Sequence, residues 1–232
     1  MTSIQGTPVA VVTGGSAGLG LALIRHLTQN GWHVVTDARD GERLTAAVAA
    51  LPRVAAVVGD VRDPRHQEQL AAEVRRHGRL DLLVHNASKL GPMLPLADVL
   101  PGQLEEVLAT NVLAPLALTR RLLPQLRGAG GSLVGISSDA AVEHYPTWGT
   151  YAASKAALDH LVLTLAAENG LRGYAVDPGD LRTAMHQRAF PGEDISDRPL
   201  PETVVPHLLA LVTGGGPSGR YRVADLVAEV AR

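Results

Sequence analysis

Residues 8–20 read PVAVVTGGSAGLG, an apolar β-branched run that breaks into a glycine-rich turn, and helical spacing follows from Gly18 to Asn30. A strand that hands over to a helix through such a turn lets the backbone come close to a phosphate. It also aims the free N–H groups and positive dipole end of the helix at that phosphate. The glycines stand at 14, 15, 18 and 20, so the spacing is not the GxGxxG of the most common dinucleotide loop. Taken alone, such a turn can be only a tight strand-to-helix connection, but the strand before it and the helix after it favour the phosphate reading.

The same alternation continues outward. Gly31 closes the first helix, and strands are predicted at Pro8–Thr13, His33–Asp37, Val54–Val58, Leu80–His85, Ser132–Ser137, Gly173–Asp177 and Gly219–Val223. Between them, helical spacing covers Glu42–Leu51, Pro64–His77, a long stretch Pro101–Leu126, Thr150–Asn169 and Glu202–Thr213. Apolar strands joined by helices are what a parallel sheet covered on both faces requires, and right-handed crossovers then give a doubly wound, Rossmann-like α/β fold. No linker composition interrupts the pattern, so residues 1–232 are expected to form one domain. Residues 183–201 show neither period and are polar and proline-rich, the marks of a mobile surface segment and candidate lid.

Composition narrows the partners. A 232-residue chain of 46% hydrophobic residues can bury a large core, roughly 70–75% of its unfolded surface. The net charge of -2 gives no electrostatic reason to expect nucleic acid or an anionic membrane. No apolar run reaches the roughly 18 residues of a membrane span, and the N-terminus does not read as a secretory signal. With no cysteine, thiolate metal sites and disulfides are excluded, the nine histidines are scattered, and no metal site is expected. A cytoplasmic protein with a small-molecule partner is the expectation. Of the 21 basic residues only Lys89 and Lys155 are lysines.

Lys155 closes the sequence Tyr151-Ala-Ala-Ser-Lys155 at the start of a predicted helix, where i, i+4 spacing puts phenol and ammonium on one face. A free tyrosine titrates near pH 10, and a nearby cation favours its phenolate, the direction acid/base work near neutrality needs. Asn111 lies inside an apolar helix, an unfavourable place unless its polar groups find partners. Pro115, four residues on, has no N–H, so the Asn111 carbonyl loses its ordinary helical donor and is open to a water.

Thr13-Gly14-x-x-x-Gly18-x-Gly20 and Tyr151-x-x-x-Lys155, in this order along the chain, resemble the short-chain dehydrogenase/reductase family from Val9 to Val223. The resemblance implies that Ser138, thirteen residues before Tyr151, hydrogen-bonds the substrate oxygen, that Tyr151 is the acid/base, and that Lys155 tunes it. It also implies that Asn111 holds a relay water. For the cofactor it implies Thr13, Gly14, Ser16, Gly18, Leu19 and Gly20 in the loop. Asp60 and Val61 would lie by the adenine, Asn86 and Ala87 behind the cofactor, and Pro178, Gly179, Leu181 and Thr183 around the nicotinamide, with Tyr151 and Lys155 on its ribose side. Ser88 replaces the family's usual glycine, a departure expected to concern packing alone.

The tail of the second strand, Asp37-Ala38-Arg39, chooses the cofactor: a carboxylate there binds a ribose 2′-hydroxyl and an arginine accepts a 2′-phosphate. By resemblance Ala38 occupies the position of the NAD-selecting acid and Arg39 that of a basic residue, which favours NADP(H); a one-residue slip would favour NAD(H). Strand alternation turns Asp37 away from the face of residue 38. Of only seven aromatic residues, Tyr145, Trp148, Tyr151 and Phe190 fall near the expected pocket, with Met93, Leu94, Val142, Met185 and His186 completing a wall for an apolar or ring-bearing carbonyl or alcohol substrate. Two other readings stay open: a regulatory NADP(H)-binding protein without turnover, and an epimerase or dehydratase with bound NAD. The family's habit implies a homodimer or homotetramer.

Overall fold

A computed structural model describes residues 6–230; residues 1–5 and 231–232 of the expected domain lie outside the described residues. Seven parallel strands form one sheet in the order β3-β2-β1-β4-β5-β6-β7. They are β1 (Val9–Val12), β2 (His33–Ala38), β3 (Val54–Val58), β4 (Leu82–His85), β5 (Ser132–Ile136), β6 (Arg172–Asp177) and β7 (Gly219–Arg222). The helices between them are α1 (Gly18–Gln29), α2 (Gly41–Val48), α3 (Pro64–His77), α4 (Pro101–Leu108), α5 (Ala114–Ala129), α6 (Gly149–Glu168), α7 (Ala184–Ala189) and α8 (Pro201–Thr213), with α9 (Val223–Val230) after β7.

Two apolar layers sandwich the sheet. On one face the side chains of Ala10, Val12 and Val84 meet Leu23, Ile24 and Leu27 of α1 and Leu208 of α8. On the other, Val9, Val11 and Leu83 meet Leu70 and Val74 of α3, Leu118 and Leu122 of α5 and Leu158 of α6. Alternate residues of one strand feed opposite layers, which is why the central strands are apolar throughout. β1 pairs with β2 on one side and β4 on the other, so the chain reverses its winding direction there. The loops at the carboxyl ends of β1 and β4 diverge and leave a crevice, the usual ligand position in this architecture.

Three expectations need correction. The single helix over Pro101–Leu126 is interrupted by a π-turn at Ala109–Leu113, in which the Ala114 N–H donates to the Ala109 carbonyl. Pro115 is the reason: it has no N–H to offer the preceding turn, and the chain takes up the mismatch as one wider turn. The segment 183–201 contains α7, capped by the Thr183 hydroxyl accepting from the His186 N–H, and it buries Ile195. The apolar repeat of α9 was absent from the expected elements because its eight residues are too few to establish a period against the end of a strand.

Candidate active site

A cavity of about 1310 Å³ runs along the carboxyl ends of the central strands. One end is built by the loop after β1. Ala17 caps α1 without any side-chain hydrogen bond, so the first-turn N–H groups of a twelve-residue helix remain available to an anion, and Gly14, Ser16, Gly18 and Leu19 line the cavity there. The loop packs too closely for side chains at two points. A Cβ on Gly20 would stand 2.3 Å from the Gly14 carbonyl oxygen, and one on Gly15 would stand 2.0 Å from Thr36 Oγ1. This is a cradle for a pyrophosphate by shape and by dipole.

Asp37 does not face that cradle as a ribose acceptor. Its carboxylate is 2% exposed and is already engaged, accepting from the Gly14 N–H at 2.8 Å and lying 3.0 Å from His66 Nε2 on α3. Arg39 and Arg43 are exposed on the cavity wall and have no ion-pair partner among the described residues, whereas Arg62, on the same wall, is paired with Asp60. This end of the cavity therefore offers two unpaired cations to a phosphate, while Asp37 is engaged within the protein and Asp40, also on the wall, caps α2 by accepting from the Arg43 N–H. Ala38, Asp60, Val61, Asn86, Ala87, Pro178, Gly179, Leu181 and Thr183 all line the cavity. Thr13 and Gly20 do not line it. The Thr13 hydroxyl is buried, accepting from the Asn86 and Ala87 N–H groups, and so sets the end of β4 against the loop.

At the other end Ser138, Tyr151 and Lys155 share the wall. Tyr151 and Lys155 come from the first two turns of α6, and the Lys155 Nζ lies 5.4 Å from the phenol ring centroid. Lys155 is 2% exposed and donates to the Ile136 carbonyl at 2.7 Å. Burial brings its ammonium down to about 8, with Asp159 acting to hold it up. The expectation that the lysine lowers the phenol is corrected: burial pushes Tyr151 above the ordinary tyrosine range. The Ser88 hydroxyl pulls the other way, and the Asp139 and Asp177 carboxylates push it up further. The phenol is thus held in its protonated form.

Ser138 begins the turn after β5; its hydroxyl donates to Asp139 Oδ1 at 2.9 Å and accepts from the Ala140 N–H. Ser137, its neighbour, is committed to Asp159 at 2.7 Å and is not on the same duty. Asn111 sits in the π-turn, buried and off the cavity wall. Its side chain donates to Ser154 Oγ and to the Lys89 carbonyl and accepts from the Lys89 N–H. Of the expected substrate wall, Met93, Trp148, Met185 and His186 line the cavity. Tyr145 and Phe190 stand behind Trp148, at ring distances of 6.4 and 5.7 Å, and Val142 is exposed outside.

Sequence reasoning missed Ser88 beside the phenol, and its replacement of a usual glycine was the available signal, read as packing alone. It also missed Asp139, His66 and Arg220, whose importance comes only from where strands end. Among the described residues there is no cluster of three metal-ligating side chains and no helix long and apolar enough to cross a membrane.

The chain is similar to known proteins over most of its length. The family model for short chain dehydrogenase matches residues 8–194. The chain is 36% identical over 185 residues to bovine dehydrogenase/reductase SDR family member 4, covering 76% of this chain and 66% of that protein, so it spans about two thirds of that relative. It is 32% identical over 220 residues to the uncharacterized oxidoreductase YciK of Escherichia coli, covering 88% and 85% of the two chains. A short chain dehydrogenase structure from Pseudomonas syringae superposes with a TM-score of 0.87 at 32% identity over 94% of each chain. One from Escherichia coli complexed with NADPH superposes with a TM-score of 0.84 at 29% identity, covering 94% of this chain and 97% of that one. The family model covers most of the chain and the seven-stranded sheet superposes on solved structures of the same family, and the chain belongs to the short-chain dehydrogenases.

Proposed function

We propose that the protein is an NADP(H)-dependent oxidoreductase that interconverts a carbonyl and a secondary alcohol on an apolar or ring-bearing small molecule. The observation that carries this reading is one cavity joining two chemistries: an uncapped helix N-terminus with unpaired Arg39 and Arg43 at one end, and Ser138, Tyr151 and Lys155 at the other. The NADPH bound to the Escherichia coli neighbour and the NADP bound to one from Shigella flexneri support the cofactor assignment.

In this reading the loop from Gly14 to Gly20 and the α1 terminus hold the pyrophosphate, Arg39 takes the 2′-phosphate, and Pro178 to Thr183 flank the nicotinamide. When bound, the cofactor supplies or accepts hydride. The rest is done by this chain. Ser138 and Tyr151 hold the substrate oxygen, and the Tyr151 hydroxyl gives its proton to that oxygen as negative charge develops on it. Donors placed in advance where charge grows are worth more in a water-poor pocket than in solution. Lys155 presents a cation near the phenol, offsetting the charge left when its proton departs. Asn111 ties the π-turn to α6 through Ser154, and its backbone carbonyl, denied a donor by Pro115, is the position for a water replenishing the proton. Trp148 and Met93 give the pocket its apolar wall. Family habit supports a homodimer or homotetramer.

Fluorescence titration tests the cofactor half. NADPH should bind about tenfold or more tightly than NADH, and Arg39→Ala should remove that margin while leaving NADH affinity unchanged, the loss of a charge-assisted contact. Equal or tighter NADH binding in the unaltered protein would reject the assignment. A carbonyl panel tests the other half, with bulky cyclic ketones expected to outperform hydrophilic sugars.

A further inference from the structure

Behind the wall that carries Ser138 and Lys155 lies a second set of charges that the reaction itself does not use. Arg220, on β7, reaches across the carboxyl end of the sheet. Its Nη2 donates to the Ser138 carbonyl at 2.8 Å, its Nε donates to Asp159 Oδ2 at 3.2 Å, and the guanidinium lies 3.6 Å from Asp177 Oδ2. Asp159 stands one helical turn after Lys155 on α6 and also accepts from the Ser137 hydroxyl. Its other oxygen, Oδ1, is buried with no hydrogen-bond partner among the described residues. One arginine therefore links the segment bearing Ser138, the helix bearing Tyr151 and Lys155, and the end of β6 that leads into Pro178 and Gly179.

We propose that Arg220 and Asp159 are a positioning pair for the reaction: from the last strand they clamp the Ser138 main chain and set the electrostatic field at the Lys155 ammonium. The inference rests on the roles given above to Ser138 and Lys155. Two carboxylates brought together away from water need a cation, and a guanidinium can serve both while spending a further N–H on a carbonyl. Arg220 does so here. Asp159, on the same helix, is the charged group that acts on Lys155, and Arg220 on β7 reaches it through Asp159. Asp139 after β5 and Asp177 at the end of β6 stand on the same cavity wall, Tyr151 is the titratable neighbour on α6, and the π-turn brings the neutral Asn111. Asp159 stabilises the ammonium, and Arg220 moderates Asp159. The two should therefore act on Lys155 with opposite signs. Removing the acid takes away the anion that favours Lys155 in its charged form, and removing the arginine leaves that anion to Lys155 alone.

The chain makes this measurable, because it contains only two lysines, Lys89 and Lys155. Lysine labelled with ¹³C at Cε gives two NMR signals, assigned with Lys89→Arg, and their pH titrations can be read with neither substrate nor cofactor present. In the unaltered protein the Lys155 signal should titrate near 8. Asp159→Asn should lower its midpoint by about one pH unit and Arg220→Gln should raise it by a similar amount, shifts typical of gaining or losing one nearby charge. Arg220→Lys should stay near the starting value, and the double variant Asp159→Asn/Arg220→Gln should fall back from the single Arg220→Gln value. Loosened packing would instead let water in and raise the midpoint in every variant, the double one most. That pattern, or an unchanged midpoint in either single variant, would overturn the proposal. With NADPH and an active ketone, the basic limb of the pH–rate profile should follow the NMR midpoint. If turnover proves absent in all forms while the midpoints move as stated, the reaction assignment fails and the charge coupling stands.

Discussion

Tyr151 is kept as a neutral phenol by its surroundings, with burial acting first and the carboxylates of Asp139 and Asp177 adding to it. A phenol so held begins with the proton a forming alkoxide needs, and must be helped to lose it. Within the protein the Ser88 hydroxyl favours the phenolate, and in the proposed reaction Lys155, itself brought down to about 8 by burial, offsets the charge left by the departing proton. Removing the hydroxyl should separate binding from chemistry. Tyr151→Phe is expected to keep NADPH affinity within about twofold and to lose on the order of 10² to 10⁴ in kcat, the range of a single acid/base group. Steady-state kinetics beside a fluorescence titration checks both numbers, and near-normal kcat would reject the proposed role.

At the scale of elements, the junction of β1 and α1 depends on how closely helix and loop approach. Gly20 sits in the first turn of α1, where any Cβ would meet the Gly14 carbonyl at 2.3 Å and the Asn86 amide at 2.6 Å. The carbonyl is backbone and cannot turn aside. Gly20→Ala should push α1 away from the loop and weaken NADPH binding at least about tenfold, since donors displaced from the phosphate lose charge-assisted contacts. Circular dichroism should show the fold retained; unaltered affinity would mean that the loop yields without cost. This junction was legible in the sequence because four glycines between a strand pattern and a helix pattern have few other physical uses. The helix that carries Tyr151 and Lys155 was legible because the two stand four apart on a strongly helical stretch. The interruption in the long fourth helix was not placed: Pro115 announced a defect at Asn111, but a missing N–H can be absorbed as a kink, an open carbonyl or a wider turn, and packing decides which. The direction of Tyr151's shift was likewise hidden. It depends on burial and on Asp139 and Asp177, which arrive from the ends of two different strands.

Across the whole molecule, ionisable groups buried beneath the site tie stability to pH. His85, the last residue of β4, is 2% exposed, lies 2.7 Å from Thr119 Oγ1 on α5, and is lowered by burial to about 3. An unfolded histidine titrates near 6.5. Between pH 6.5 and 3 the unfolded chain therefore binds a proton that the folded chain refuses, and stability falls as pH falls, at up to about 1.4 kcal/mol per pH unit from this residue. Asp159 and Asp177 work in the opposite sense. Burial raises both, so the folded state takes up their protons before the unfolded state does, and acid relieves the cost of keeping them charged. The acid limb of the stability curve is thus a difference between these contributions, and only a comparison isolates one of them. Glutamine can keep a polar contact with Thr119 but has no proton to gain. His85→Gln should therefore flatten the decline between pH 6.5 and 4.5, recovering roughly 2 to 3 kcal/mol relative to the unaltered protein over that interval. Urea unfolding at half-unit pH steps measures it directly. Parallel curves for the two proteins would show that His85 accepts its proton in the folded state, and that the sheet beneath the site opens to water at far milder pH than its packing implies.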